Sequence, residues 1–514
     1  MKCAPIWSPA TLADVLTTQA GHPERKNRPA LLFESDVYSY ADLESASNRV
    51  AQALLAAGLR PGQVVCQVLA SRPELIVNLF GVLKAGAIYA PLNPALTERE
   101  LAVQLADCRP AVVIADGPRA DPVRRAADGL PECQVFDVDA PPSEELGALV
   151  REAPDARPEL PLDPAGPALL FYTSGTTGRP KGVLLSHRAV LTNAQQVLER
   201  TGAGPDDRLL VVMPIFHVNG LVNQTVLPAL AGASVALRPR FVLDDFWPSV
   251  ARYRPTYFTA VPTLLRRLLD APPSPAGADP DSLRFVRTGA APLPVEVQRR
   301  FEQRFGRPVI QSYGLAEATC TVAMNPPSWE RRPGSVGPAL PGLNIRIADE
   351  AGAHQPPGRA GEVVVRGPTL MLGYLNRPEA TAEALPDGWL RTGDLGYLDP
   401  DGYLYLTDRK KDVIIRGGEN ISAREVEEVL YAHPAVAEAA VVGLPDPEYG
   451  ERALACVVLR PGASPDRAAL LAHCRAHLAR FKVPERLAFL DELPKNAVGK
   501  IAKQELREVL RHAR

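Results

Sequence analysis

The chain lacks several features that would assign it to a particular class of protein. Its seven cysteines among 514 residues include no C-x-x-C pair, so neither a zinc site nor a disulfide framework is indicated. A formal net charge of −2 offers no electrostatic attraction to nucleic acid or to an anionic membrane. The longest apolar stretch, Leu75 to Leu92, contains Asn78 and Lys84, which excludes a membrane-spanning helix there. The N-terminus lacks the apolar core of a signal peptide, and with the scattered cysteines this predicts a cytoplasmic protein.

The order of apolar segments predicts an α/β fold in more than one domain, because 514 residues exceed a single core. A helix from 38–43 to Leu55, a strand over 64–69, a helix from Pro73 to Leu83 and a strand over 87–90 alternate as in a layered α/β domain. A charge-dense break over 407–412 predicts a boundary. Residues 1–408 would form the large domain, and residues 409–514 a small α+β domain. Ser422 and Glu425 have the spacing of a capping box opening a helix through Tyr431.

The run YTSGTTGRPKG, from Tyr172 to Gly182, predicts a phosphate-binding loop. Glycines let backbone N–H groups approach a phosphate, and hydroxyls and Lys181 add donors and a charge. Lysine is scarce, with ten in the chain, so a lysine in this loop is informative. The spacing differs from that of a Walker loop, and apolar runs on both sides predict that it joins two strands. The alternative is a mobile turn, which the density of glycines and hydroxyls disfavours.

Further strings have the chemistry of a nucleotide site, although each alone also fits an ordinary turn. In Gln311–Glu317 an aromatic ring could stack on a base, and a carboxylate could hold magnesium. The small residues of 288–293 would permit close approach of a ligand. In Arg391–Asp394 an aspartate could accept hydrogen bonds from both hydroxyls of a ribose. The charged run Asp408–Asp412 fits a solvated turn equally well.

These strings, in this order, resemble the motifs of the acyl-adenylate-forming enzymes, the AMP-dependent synthetases and ligases, and particularly their acyl-CoA synthetase branch. The resemblance extends from Leu32 to Lys503. It implies a large domain of α/β sheets with a β-rich subdomain, and a small mobile α+β domain. It also implies that ATP and a carboxylic acid form an acyl-adenylate, whose acyl group then passes to coenzyme A. The implied cofactors are ATP, Mg²⁺ and coenzyme A.

The resemblance also implies roles for individual residues. Tyr313 would stack on adenine, Asp394 and Arg409 would contact ribose, and Glu317 would hold the metal. Lys411, near 408–411, would be the hinge, and Gly417 and Gly418 would line the tunnel for coenzyme A. The implied nucleotide contacts are Thr173, Ser174, Gly175, Thr176, Thr177, Gly178, Lys181, Gly289, Ala290, Ala291, Gln311, Ser312, Tyr313, Gly314, Asp394 and Arg409. The implied acyl pocket includes His217, Val218, Asn219, Leu221, Leu315 and Cys320, with Ala318 and Thr319 beside them.

The catalytic residues implied by the resemblance are Lys500, His217, Glu317 and Thr176. A carboxylate attacking the α-phosphate brings two negative charges together, and the Lys500 ammonium between them would favour the approach. A lone histidine in an apolar stretch is as readily a core residue, so both interpretations of His217 stay open. Ala316 stands where many members have threonine, which puts one contact to the α-phosphate in doubt.

The substrate and the acceptor leave alternatives open. Val218 stands where amino-acid-activating members have aspartate, which disfavours an amino acid. Ser312 stands where malonate-using members have arginine, and Cys320 stands where oxalate-using members have histidine. These two differences disfavour malonate and oxalate. The mostly small or apolar wall favours a fatty or other apolar monocarboxylate. The alternatives are an adenylation enzyme that loads a carrier protein, an acyl-AMP ligase, for which no extra insertion is seen, and a silent scaffold, which the intact motif residues disfavour. The oligomeric state is left open.

Overall fold

The computed structural model describes residues 9–141, 145–173, 180–271, 280–327, 330–416, 419–496 and 499–512. The first part of the chain alternates helices with short strands, as its alternating amphipathic and apolar segments predict. Its elements are α1 (Asp14–Ala20), β1 (Pro29–Phe33), β2 (Asp36–Ser39), α2 (Tyr40–Ala56), β3 (Val64–Val68), α3 (Pro73–Lys84), β4 (Ile88–Pro91), α4 (Glu98–Cys108), β5 (Val112–Ala115), α5 (Gly117–Ala126), β6 (Gln134–Asp137) and α6 (Glu145–Glu152).

The middle of the chain continues the alternation and includes a π-helix over Asn219–Val226. Short 3₁₀ turns lie at Pro280–Ser282 and Ala316–Ala318. The remaining elements of this part are β7 (Pro167–Thr173), β8 (Lys181–Ser186), α7 (His187–Thr201), β9 (Arg208–Val211), α8 (Leu227–Ala231), β10 (Ser234–Leu237), α9 (Leu243–Tyr253), β11 (Tyr257–Ala260), α10 (Pro262–Asp270), β12 (Phe285–Thr288), α11 (Val295–Phe305), β13 (Val309–Tyr313) and β14 (Ala323–Met324).

The last part of the chain is richer in strands. Short 3₁₀ turns lie at Pro386–Gly388, Lys410–Asp412 and Arg480–Lys482. The other elements are β15 (Gly337–Pro338), β16 (Asn344–Ala348), β17 (Gly361–Arg366), β18 (Gly373–Tyr374), α12 (Pro378–Ala384), β19 (Leu390–Leu398), β20 (Tyr403–Arg409), β21 (Ile414–Arg416), β22 (Glu419–Ile421), α13 (Ala423–Tyr431), β23 (Val436–Asp446), β24 (Gly450–Leu459), α14 (Arg467–His477), β25 (Arg486–Phe489) and α15 (Lys503–His512).

Among the described residues, the strands form four sheets. One runs β18-β8-β7-β4-β3-β5-β6 and another β14-β13-β12-β11-β9-β10-β1-β2, and the neighbouring strands from β13 to β1 in the second sheet are all parallel. A third sheet, β15-β20-β19-β17-β16, is antiparallel. The fourth contains β21 to β25, near the end of the chain. This arrangement confirms the predicted α/β fold with a β-rich part and a small C-terminal domain.

The cores follow this division of the sheets. A central cluster collects apolar side chains from both large sheets and from α2, α3 and α7, so those elements share one core. The fourth sheet buries its own clusters, which include Ile414, Leu430 and Leu487 on one side and Cys456 on the other. In the described part of the chain, no helix has both the length and the apolar character needed to cross a membrane.

Two helix starts refine the sequence predictions. Helix α2 begins at Tyr40, two residues later than predicted, because Ser39 and Asp42 form a capping box in which each side chain bonds the other's backbone N–H. At α13 the predicted capping box is wrong in one half. The Ser422 hydroxyl accepts from the Glu425 N–H at 3.2 Å, but the Glu425 carboxylate pairs with Lys482 at 2.7 Å instead of turning back.

Candidate active site

The candidate site lies at the carboxyl edge of the second sheet. Strands β9, β11, β12 and β13 are parallel neighbours, so the segments that follow them emerge at one edge. His217 follows β9, Gly289 directly follows β12, and Gly314 directly follows β13. Three motifs that are far apart in the sequence are thereby brought side by side.

The small residues at this edge are required by close backbone contacts. A Cβ atom on Gly314 would lie 1.4 Å from the carbonyl oxygen of Cys320, so only glycine fits. A Cβ atom on Gly289 would lie 3.0 Å from both the carbonyl and the hydroxyl oxygen of Ser312. The Ser312 hydroxyl in turn donates to the carbonyl of Thr288 at 3.1 Å. These contacts hold the ends of β12 and β13 together.

Two residues at the edge adopt a backbone conformation that non-glycine residues rarely use. Ala290 and Thr319 each have φ of 69°, in the left-handed region. The Thr319 hydroxyl donates to the carbonyl of Thr369 at 2.6 Å, which helps to hold its turn. Strain of this kind is concentrated at ligand sites, where the surrounding structure compensates for it.

Tyr313, Asp394 and Arg409 form one hydrogen-bonded group. The Tyr313 hydroxyl donates to Asp394 Oδ2 at 2.6 Å, and Arg409 Nε pairs with Asp394 Oδ1 at 2.8 Å. Strand pairing of β19 with β20 sets Asp394 directly opposite Arg409. A carboxylate has about four acceptor positions, so Asp394 keeps capacity for further hydroxyl donors. The residues predicted to contact adenine and ribose are therefore adjacent.

Lys500 reaches this group from the small C-terminal domain. Its backbone N–H donates to Asn496 Oδ1 at 3.0 Å, and the Thr263 hydroxyl of α10 donates to the carbonyl of Gly499 at 3.2 Å. Burial, followed by the positive charge of Arg409, lowers the pKa of Lys500 to about 8, and Asp394 opposes this shift. The Lys500 ammonium therefore lies among the charges of the predicted nucleotide site.

His217 is half-buried with a buried Nε2 atom, and its ring lies 4.2 Å from that of Phe216. Burial, followed by the charge of Lys500, lowers the pKa of His217 to about 3, so the imidazole is neutral near pH 7. Its Nε2 atom has no hydrogen-bond partner among the described residues. A neutral imidazole with a free nitrogen close to a lysine can donate to or accept from a bound carboxylate.

The predicted phosphate loop joins two antiparallel strands, as the sequence indicated. In the β7–β8 hairpin, Thr173 lies opposite Lys181. The Lys181 ammonium lies 4.8 Å from the centre of the Tyr374 ring, and the Tyr374 hydroxyl donates to Glu317 Oε1 at 3.0 Å. Lys181 and Glu317 therefore meet at Tyr374, a residue that the sequence analysis missed and that no spacing signal would have found. The predicted contacts Ser174, Gly175, Thr176, Thr177 and Gly178 lie outside the described residues.

Glu317 also fits the metal that the sequence predicts. Its side chain is half-buried, only one of its carboxylate oxygens accepts the bond from Tyr374, and carboxylate oxygen is a preferred ligand of Mg²⁺. Among the described residues, no group of three or more His, Cys, Asp or Glu could hold a metal. A single carboxylate suits Mg²⁺, which keeps waters and binds substrate phosphates.

The predicted acyl wall contains more polar groups than the sequence suggested. The π-helix begins at Asn219, and the Asn223 amide reaches Asn219 Oδ1 at 2.9 Å, Cys320 Sγ at 2.9 Å and Thr321 Oγ1 at 3.1 Å. Short π-helical segments are frequent at functional sites. Asn223 was missed by the sequence analysis, although its i+4 spacing from Asn219 on a helix was a usable signal.

The remaining predicted residues lie in the central core, at the sheet edge and near the start of the small domain. Leu221 is fully buried in the central core, and Val218 and Leu315 pack against that core. Gln311 is buried, with no hydrogen-bond partner for Oε1 in the described part of the chain. Ala291 follows the strained Ala290. Lys411 lies exposed in the 3₁₀ turn after β20, while Gly417 and Gly418 lie outside the described residues.

A lysine near an aspartate–arginine pair and a tyrosine, at the carboxyl edge of a parallel sheet, has the geometry of a nucleotide-binding enzyme. Comparison with known proteins identifies the family. The AMP-binding enzyme family matches residues 17–375, and its C-terminal domain matches residues 425–500. The chain therefore belongs to the AMP-binding enzyme family.

Similar proteins agree with this assignment. The chain is 39% identical over 511 residues to the sulfoacetate–CoA ligase of Cupriavidus necator, with 98% of each chain covered. It is 38% identical over 488 residues to the indoleacetate–CoA ligase of Aromatoleum aromaticum, with 94% of this chain and 95% of the relative covered. ATP-bound MatB from Rhodopseudomonas palustris has a similar structure, with a TM-score of 0.92, 33% identity and coverage of 98% and 99%.

These findings confirm the predicted activity. The chain is an AMP-forming carboxylate–CoA ligase, an acid–thiol ligase of the acyl-CoA synthetase type. Its co-substrates are ATP and coenzyme A, and its metal is Mg²⁺.

Proposed function

We propose that this ligase activates a compact carboxylic acid whose carboxylate binds between His217 and Lys500. The observation that carries the proposal is the convergence of these two side chains with Asp394 and Arg409 at one sheet edge. The far wall supports a compact acid, because Leu221 is fully buried and Asn223 ties Asn219 to Cys320.

Each side chain has a separate task in this proposal. Lys500 holds the acid and the α-phosphate of ATP together and stabilises the charge that develops between them. His217 stays neutral and orients the acid through its unpartnered Nε2. Tyr313 packs on adenine, while Asp394 and Arg409 bind ribose. Glu317 would hold Mg²⁺, which supplies neutralisation of phosphate charge.

In the proposed division of the chain, the small domain takes one position for adenylate formation and another for thioester formation. Residues 1–408, with Arg409 at the boundary, bind ATP and the acid, and residues 409–514 carry Lys500 into the site, turning about 408–411. In the contacts of the present structure, Lys410 pairs with Glu362 at 2.8 Å beside the proposed hinge at Lys411. Rotation there would remove Lys500 and admit coenzyme A along the segment of Gly417 and Gly418. Co-substrates of this kind favour a cytoplasmic location, which stays a prediction.

The identity of the acid is proposed only as a class. Two similar chains are named for sulfoacetate and for indoleacetate, acids that differ in size and charge. The similarity alone therefore does not identify the acid. The apolar monocarboxylate predicted from the sequence is supported by Val218 and Leu315, whereas Asn219, Asn223 and Thr321 support a more polar acid. Mass spectrometry of one reaction with aliphatic, aryl and anionic acids, Mg-ATP and coenzyme A would identify the acyl-CoA. Release of AMP without any acyl-CoA would instead favour a carrier protein as acceptor.

The role of Lys500 is tested by separating the two half-reactions. Lys500→Ala should slow acyl-adenylate formation about 10²- to 10³-fold, which is typical of removing one group that stabilises the transition-state charge. Thioester formation from a supplied acyl-adenylate should be nearly unchanged. Lys26→Ala is the control, because this lysine is exposed and belongs to none of the predicted sites. Pyrophosphate release at the wild-type rate in Lys500→Ala would contradict the proposed role.

A further inference from the structure

Arg287 is a buried arginine that the activity described so far does not use. It lies on β12, two residues before Gly289, and its exposed fraction is 2%. Strand pairing sets it opposite Thr259 of β11 and Ile310 of β13, in the middle of the second sheet. An arginine in this position is unusual, because the interior of a sheet normally holds apolar side chains.

The charge of Arg287 has no protein partner in the described part of the chain. Its Nε atom is buried without a hydrogen-bond acceptor, and no ion pair reaches its guanidinium there. The hydroxyls of Tyr257 and Thr259, on the neighbouring strand, are also buried without described partners. Burying a charge without a partner costs free energy, so folded proteins rarely keep one for structural reasons.

The direction of β12 relates this cation to the acyl site. Side chains alternate along a strand, so Arg287 and the side-chain-free position of Gly289 lie on the same face. Burial raises the pKa of the Cys320 thiol to about 11, and the nearby positive charge of Arg287 opposes this rise. Cys320 contacts Asn223 in the predicted acyl wall. The guanidinium is therefore within electrostatic reach of the far wall of the acyl site.

We propose that Arg287 binds an anionic group of the substrate acid, a second carboxylate or a sulfonate, at the end opposite the carboxylate that is activated. This inference rests on the proposed function, because it needs the acid to lie between the Lys500 side and the Cys320 wall. A guanidinium presents five N–H donors in a planar fork that matches two oxygens of one anion. The amide groups of Asn219 and Asn223 add polar contacts along the way.

The test compares acids that differ only in the far group. Wild-type enzyme should have a higher kcat/KM for short dicarboxylates and sulfocarboxylates than for monocarboxylates of equal length. Arg287→Met removes the charge at similar volume and should lower kcat/KM for the anionic acids about 10- to 100-fold, as expected for losing charge-assisted hydrogen bonds. It should leave the monocarboxylates within about twofold. Separate dicarboxylate and sulfocarboxylate arms determine which anion is preferred.

A matched control is available in the same sheet, on β9, two strands away from β12. Arg208 of β9 donates to the carbonyl of Tyr253 at 2.7 Å and to the Ser234 hydroxyl at 3.0 Å, so its donors are used by the protein. Arg208→Met should leave the preference between anionic and neutral acids unchanged. If Arg287→Met is too poorly folded, Arg287→Lys keeps the charge without the fork and should partly retain the preference for anionic acids.

The outcomes separate this inference from the proposed function. Faster wild-type turnover of monocarboxylates, or an equal loss for both classes of acid in Arg287→Met, would overturn the role of Arg287 while leaving the compact-acid ligase intact. Turnover of long-chain acids alone would overturn the compact-acid proposal itself. Loss confined to anionic acids supports both.

Discussion

Two buried cations in the same chain have opposite surroundings. Lys84, at the end of α3, has an exposed fraction of 1%, and its ammonium bonds Glu44 at 2.6 Å, Ser47 at 2.8 Å and Asn48 at 2.7 Å. Arg287, on β12, is as deeply buried and has no described acceptor for Nε. All three donors of Lys84 are therefore satisfied by α2, whereas Nε of Arg287 is not satisfied by any described residue.

This difference separates a structural charge from one that awaits a ligand. A buried ion pair contributes to a fold only when further hydrogen bonds satisfy the remaining donors, as they do at Lys84. A buried cation without such acceptors is unfavourable for folding. Residues that are unfavourable for folding are found mainly at functional sites. The comparison therefore predicts that Lys84 matters for stability and that Arg287 matters for substrate choice.

The largest expected effect is on stability at Lys84. Lys84→Ala leaves the Glu44 carboxylate without its partner and opens a cavity, and should cost about 3–5 kcal/mol of unfolding free energy. Urea denaturation followed by fluorescence measures the shift in midpoint. Lys26→Ala, at an exposed position, is the control and should stay within about 0.5 kcal/mol. A change at Lys84 as small as that of the control would break the comparison.

Lys500 is a third cation of the chain. The loss of its charge at high pH should be visible in the pH dependence of adenylation. Adenylation needs the charged form, whose fraction falls as pH rises through the pKa of about 8. For adenylation, kcat/KM for ATP should therefore decrease about tenfold per pH unit well above pH 8. His217 adds no limb near neutral pH, because its pKa of about 3 lies far below.

The half-reactions again provide the control for this pH dependence. Thioester formation depends on a thiolate, and should rise rather than fall over the same range. In Lys500→Arg the falling limb should disappear at a lower overall rate, since arginine stays charged. An identical falling limb in both half-reactions, or in Lys500→Arg, would show that another group titrates.

Much of this site was predictable from sequence, because its motifs follow strand ends and parallel strands bring their ends together. Asp394 and Lys500 were predicted from local strings that each alone fit an ordinary turn or surface, and only the order of all the strings made them informative. Tyr374 and Arg287 were not, since their roles depend on the pairing of β18 with β8 and on the register of β12, which no local pattern states. Arg287 interrupts the strand Phe285–Thr288, and nothing in the surrounding sequence indicates that its side chain is buried.

The smallest expected effect is on stability at Arg287. Replacing a buried charge that lacks acceptors by an apolar side chain of similar size is often neutral or stabilising. The free energy of unfolding of Arg287→Met should therefore be within about 1 kcal/mol of the wild-type value, or higher. The same urea denaturation measures it, beside Lys84→Ala. A loss approaching that of Lys84→Ala would mean that Arg287 has acceptors in the folded chain, and it would then count as structural. Neutral stability with altered acid preference would instead separate the two buried cations as the contacts indicate.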